Sequence, residues 1–223
     1  ARVLDPFFRA EAWLGPAARL EGTLTLQQAG AADWEASFQG RLLDVDLGTL
    51  VSQRFSNHRL TGRAQLALDS ARWGDRPGGQ GPGWIEARGI LTAGRGTIST
   101  GLLRALASEM QFRLATPSFA GRDDLEYHSL GLRFAIGDDG QIRLGGALGA
   151  EYPPDAVLIR SDSARVLASI PEGTANVRGL IKALFPVADT DRGTMVPYTP
   201  DSQILHYLPV PTHRIGSTST LGN

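Results

Sequence analysis

Between Leu20 and Leu144 apolar and polar residues alternate, stretch after stretch, with a period of two. Such a chain can gather its apolar residues on one side only as extended strands, because successive side chains on a strand point to opposite faces. Leu20, Gly22, Leu24 and Leu26 alternate with Glu21, Thr23, Thr25 and Gln27. Trp34, Ala36, Phe38 and Leu42 do so with Glu35, Ser37, Gln39 and Arg41, and Leu60, Ala64, Leu66 and Leu68 with Thr61, Arg63, Gln65 and Asp69. A fourth run sets Ile85, Ala87, Gly89, Leu91 and Ala93 against Glu86, Arg88 and Ile90, and a fifth sets Met110, Phe112 and Leu114 against Gln111 and Arg113. These runs predict long strands of an antiparallel sheet with one buried face.

The clearest hairpin follows. Leu130, Leu132, Phe134 and Ile136 alternate up to Asp138-Asp139-Gly140, and Ile142 and Leu144 resume the pattern; Asp-Gly supplies the positive φ that a tight turn needs. Ala156 to Arg160, with its Ala-Val-Leu-Ile run, reads as a last strand that is buried on both faces or curls into the next element. Three short amphipathic helices are expected: Leu47 to Arg54 with Asp46 as cap, Thr100 to Glu109 with Ser99 or Thr100 as cap, and Thr174 to Leu184. Each follows a glycine-marked extended segment, a weak internal repeat of strand, glycine turn and helix. Gly74 to Gly83, rich in glycine and proline, reads as a hairpin tip. The expected fold is therefore mainly β: a curved antiparallel sheet, a flattened β-sandwich or an open β-groove, with about three short helices. Residues 1–186 form this β-rich module. Beyond about Val187 the alternation fades, and residues 187–223 read as an irregular C-terminal extension that docks on a partner or packs poorly.

Composition narrows the function. Of 223 residues 42% are hydrophobic, enough for a sizeable core. The formal net charge is −1 and the charges are scattered, which argues against a nucleic-acid partner. Lys182 is the single lysine beside 21 arginines, a coding bias more than a chemical requirement. With no cysteine, disulfides, thiol catalysis and thiolate metal sites are excluded. No apolar run approaches the roughly 18 residues of a membrane span. Because the chain opens on Ala1, a membrane anchor upstream is left open.

Catalytic patterns are weak. His58, His128, His206 and His213 are isolated, without a spacing that puts two imidazoles on one metal, so no metal site is expected. Tyr127-His128 lies near Asp123, Asp124 and Glu126, which reads first as a solvated acidic loop and only second as a base with its orienting carboxylate or a loose calcium site. Asp44 and Asp46 alternate on one face, which would suit a glycosidase's carboxylate pair, but a strand edge leading into a helix cap accounts for them more simply. Ala93-Gly-Arg-Gly-Thr-Ile-Ser lacks the ending of a phosphate-binding loop and reads as a turn into a helix. No cofactor is expected. Trp13, Trp34, Trp73 and Trp84 would suit sugar stacking, although Trp73 and Trp84 flank the glycine-rich loop as a cross-strand pair would.

The strand-rich stretches carry a family resemblance. Leu60-Thr-Gly-Arg-Ala-Gln-Leu-Ala-Leu, then Ala87-Arg-Gly-Ile-Leu-Thr-Ala-Gly-Arg-Gly-Thr-Ile-Ser-Thr-Gly-Leu-Leu-Arg-Ala-Leu, and the hairpin from Tyr127 to Leu144 resemble the AsmA-like family of bacterial envelope proteins, the AsmA/TamB type. In that family a Leu-x-Gly strand, a second glycine-marked strand, a Gly-x-Ile turn and a leucine-rich helix follow one another. The resemblance covers roughly residues 35–150 and departs at the Gly74 to Gly83 insertion and after Val187. It implies a non-enzymatic periplasmic protein, anchored in the inner membrane by a segment absent from this chain. Such a protein binds or conducts lipid along an open β-groove, or supports outer-membrane assembly. No catalytic residues come with it.

An open sheet gives that function a physical route, since acyl chains laid on its apolar face gain about 25 cal/mol per Å² of apolar area removed from water. The candidate lining is Leu66, Leu68, Leu132 and Phe134; the competing reading is that helices cover these residues as ordinary core. Two other functions remain: a structural subunit of a membrane-associated assembly, docking envelope partners through its C-terminal tail, and an extracytoplasmic carbohydrate-binding β-sandwich.

Overall fold

The computed structural model describes residues 13–28, 34–53, 55, 57–75, 82–115, 122–170 and 173–184. Among these residues there are twelve strands: β1 Arg19–Gln28, β2 Trp34–Asp46, β3 Arg63–Asp75, β4 Pro82–Ala93, β5 Gly96–Ser99, β6 Arg113–Leu114, β7 Asp124–Tyr127, β8 Ser129–Ile136, β9 Gln141–Gly146, β10 Ala156–Ile159, β11 Arg165–Ala168 and β12 Thr174–Asn176. Gly48–Ser52 form a π-helical turn, and two α-helices follow, α1 Thr100–Glu109 and α2 Val177–Leu184.

The chain is mainly β. Ten strands join in one antiparallel sheet that does not close into a barrel, ordered β1-β2-β3-β4-β8-β10-β11-β6, with β9 beside β8 and β12 beside β9. The far edge of β8 is shared, β9 pairing along Leu132 to Ile136 and β10 at Ser129 and Leu130. β5 and β7 form a separate two-stranded sheet. The alternation explains this order: β1 to β4 are consecutive hairpins, each long enough to carry its apolar positions across the next strand. The β3–β4 pairing reaches Asp75 opposite Pro82, so Gly74 to Gly83 does close a hairpin.

Register puts the apolar positions of five strands on one face. Leu42, Leu66, Leu91 and Leu132 lie in one row across β2, β3, β4 and β8. Gly40, Leu68, Gly89, Phe134 and Leu144 form the next, and Phe38, Ala71, Ala87, Ile136 and Ile142 the one after. Bulges keep the face in phase where strict alternation would break it. One bulge lies between Leu42 and Val45, where Asp44 adopts φ 54, and another lies between Leu68 and Ser70. The opposite face is polar and tied by ion pairs, Arg72 to Glu35 at 2.9 Å and to Glu86 at 3.8 Å.

Helices close one end of this apolar face. Leu102 and Leu103 of α1 and Val177 and Ile181 of α2 are buried in a core with Ile142, Leu158 and Leu167, and Leu130, Leu132, Ile136 and Leu144 pack against it. A smaller cluster of Val45, Leu47, Ala64 and Ala93 lies under the π-helical turn. Ser99 caps α1, its hydroxyl accepting from the Leu102 and Arg59 amides. Asp46 caps the π-helical turn through the Gly48 and Thr49 amides.

Several expectations need correction. Met110 to Leu114 is mostly not a strand: Met110 ends α1, Gln111 takes φ 57, and only Arg113 and Leu114 pair, with β11. Thr174 to Asn176 pair with β9 before the third helix starts at Val177, because Ala175 fills the core beside Ile142. Gly96 to Ser99 is strand β5, not simply a turn, and the segment around Tyr127 is strand β7, with Leu125 and Tyr127 buried and Glu126 outward. The hairpin expected at Asp138-Asp139-Gly140, by contrast, is present between β8 and β9, turning over Gly137 to Gly140 with Gly140 at φ 73. The expected extension 187–223 lies outside the described residues.

Candidate functional site

Away from the helices the apolar face continues over β1 to β4. Leu24 is opposite Phe38 and Leu26 opposite Ala36, which extends the rows to the sheet edge. The Phe38 ring lies over the paired glycines Gly22 and Gly40, where an added Cβ would sit 2.8 and 2.6 Å from its Cζ. Phe134 covers Gly89 in the same manner, at 3.2 Å. Glycine at these sites thus lets an aromatic ring lie flat on the sheet and keeps the face smooth.

Exposure rises steadily across it. Ala64 and Ala93 are buried, Leu66, Leu68, Phe38 and Phe134 are half-buried, and Leu24 and Leu26 are 57% and 62% exposed. Trp34, paired with Gln28 at the same corner, is 59% exposed. Three of the four exposed large hydrophobic residues among those described therefore sit on β1 and the start of β2. Residues in such a patch, apolar, contiguous in register and open to water, mark an interaction surface.

The four residues expected to line a groove divide. Leu68 lies between Gly40 and Gly89, Phe134 lies beside it across β4, and Leu66 is one row down between Leu42 and Leu91; among the described residues these three belong to neither buried cluster. Leu132 packs against the helical core, so it belongs to the covered margin of the face. Leu24, Leu26 and Phe38 lie on the same face and were not singled out in the sequence. Their alternation was visible, but only the strand order shows that β1 is an edge.

The catalytic candidates do not assemble. Asp46 is engaged as a cap and Asp44 sits on a bulge, so they do not form a carboxylate pair across a cleft. Nδ1 of His128 accepts from Nε of Arg95 at 3.3 Å in an open, shallow pocket shared with Glu126, Tyr127 and Ser161. Tyr127 donates its hydroxyl to the Thr61 carbonyl, and burial pushes its pKa up to about 12. His58 is buried, and desolvation pulls its pKa below the ordinary value while the Ala183 backbone acts in the opposite direction. No group of three or more potential metal ligands occurs among the described residues; His206 and His213 lie outside them. Trp13 is buried, and Trp73 and Trp84 are paired in register across the β3–β4 hairpin. No helix among the described residues is long and apolar enough to cross a membrane. No protein-family model, curated protein or solved structure matches this chain.

Proposed function

We propose that this chain is a non-enzymatic, AsmA-like module of the bacterial cell envelope. It faces the periplasm, is held at the inner membrane in the full-length protein, and binds the acyl chains of a lipid on the open apolar face of its sheet, in support of outer-membrane assembly. One observation carries the reading: Leu24, Leu26, Phe38, Leu68 and Phe134 share one face of consecutive paired strands, and among the described residues no helix packs over them. An acyl chain there would lose water contact at about 0.8 kcal/mol per methylene. The polar opposite face, with its arginine and glutamate ion pairs, would stay in water.

The carbohydrate reading has less support, since Trp13 is buried and, among the described residues, Trp34 is the one tryptophan that stands exposed, which leaves no platform of several rings for a sugar. Native mass spectrometry of the protein purified from a Gram-negative envelope tests the proposal. Stoichiometric phospholipid or glycolipid is expected, and Leu68→Asp or Phe134→Asp should release it while the fold persists, because a carboxylate under an acyl chain is desolvated without a partner. A stable, lipid-free wild-type protein would refute the reading.

A further inference from the structure

The terminal strands of the main sheet differ. β6 pairs only two residues, Arg113 and Leu114, with β11, and β12 only three, Thr174 to Asn176, with β9, both too short to template another strand. At the other end β1 is ten residues long and matches β2 residue for residue without a bulge, and its outer side has no strand beside it among the described residues. It contains neither proline nor lysine, and its residues are exposed almost throughout. Long, regular, apolar edges are what soluble proteins normally blunt with bulges, lysine or proline. An unblunted edge is a ready site for strand addition.

The sequence of β1 fits one occupant, itself. In an antiparallel pair centred on Thr23, Leu20 faces Leu26 of the other strand, Gly22 faces Leu24, and Thr23 faces Thr23. Arg19 then faces Gln27 and Glu21 faces Thr25, so no like charges oppose one another. Directly opposed residues of antiparallel strands point to the same side, so the exposed leucines of each strand meet those of the other.

We propose that two copies of this chain join through β1 in this register, making one continuous sheet with both open apolar faces on the same side. The interface is symmetric, as most homodimer interfaces are. It goes beyond lipid binding, because it needs no lipid and places a residue of the polar face, Thr23, at its centre. A single strand pair is a small interface, so the dimer is expected to dissociate in roughly the micromolar range.

Analytical ultracentrifugation of the lipid-free full chain over about 1 to 100 μM tests this. A monomer–dimer equilibrium is expected. Thr23→Lys and Thr23→Glu should each weaken it by about tenfold, since each sets like charges face to face, and an equimolar mixture of the two variants should restore it. A monomer at every concentration, a dimer indifferent to both charges, or a dimer broken by both and not restored by mixing would overturn the proposal. Neither variant touches the leucine face, so their outcome is independent of whether Leu68→Asp releases a lipid.

Discussion

Leu158 on β10 and Leu26 on β1 are leucines in strands of the same sheet, yet the first is fully buried and the second is 62% exposed. Around Leu158, α1 and α2 pack on β8 to β11 and complete a core. Around Leu26 the rows of apolar side chains continue in register, and among the described residues no helix follows them. The difference teaches that strand period decides which side a residue faces, while burial depends on where the helices dock. One end of the sheet serves stability, and the other presents apolar surface that stability does not require.

Substitutions break this comparison at its strong end first. Leu158→Ala should cost about 3 kcal/mol, because its methyls leave a cavity that a close-packed core fills poorly; urea unfolding would read this as a lower midpoint at unchanged slope. Ser99→Ala removes the acceptor shared by the Leu102 and Arg59 amides and should cost about 1 kcal/mol in the same assay. His58 sharpens the comparison through pH. Its folded-state pKa lies below the unfolded value near 6.5, so its neutral form is favoured on folding. Stability should therefore be complete above about pH 6.5 and decline as pH falls below it towards the folded pKa. His58→Phe should flatten that decline in thermal melts at pH 5 to 7, values chosen to bracket about 6.5. Leu26→Ser, at the open end, should shift stability by less than about 0.5 kcal/mol.

Much of the sheet was legible because the period-two pattern of β1 to β4, β8 and β9 survives in the sequence almost unbroken. Leu47, Leu102 and Ile181 likewise announced their helical segments by spacing and by the caps Asp46 and Ser99. The short strands β5, β6, β7, β11 and β12 were harder to read. Two to four residues give too little alternation to separate a strand such as Asp124–Tyr127 from an acidic loop, and tertiary pairing decides the matter. The candidate face was half legible. Leu66, Leu68 and Phe134 follow from alternation, whereas the covering of Leu132 and the exposure of Leu24 depend on helix docking and strand order, which no local pattern encodes.

The central claim, that the open end of the sheet is where acyl chains bind, is tested most directly by photo-crosslinking. A phospholipid with a photoreactive group in its acyl chain would be irradiated with the folded protein and the labelled peptides mapped by mass spectrometry. Labels concentrated on Leu24, Leu26, Phe38, Leu68 and Phe134 are the predicted result. Labels confined to the helical end around Leu158 and Ile181, or no labelling above that of the Leu68→Asp variant, would contradict it.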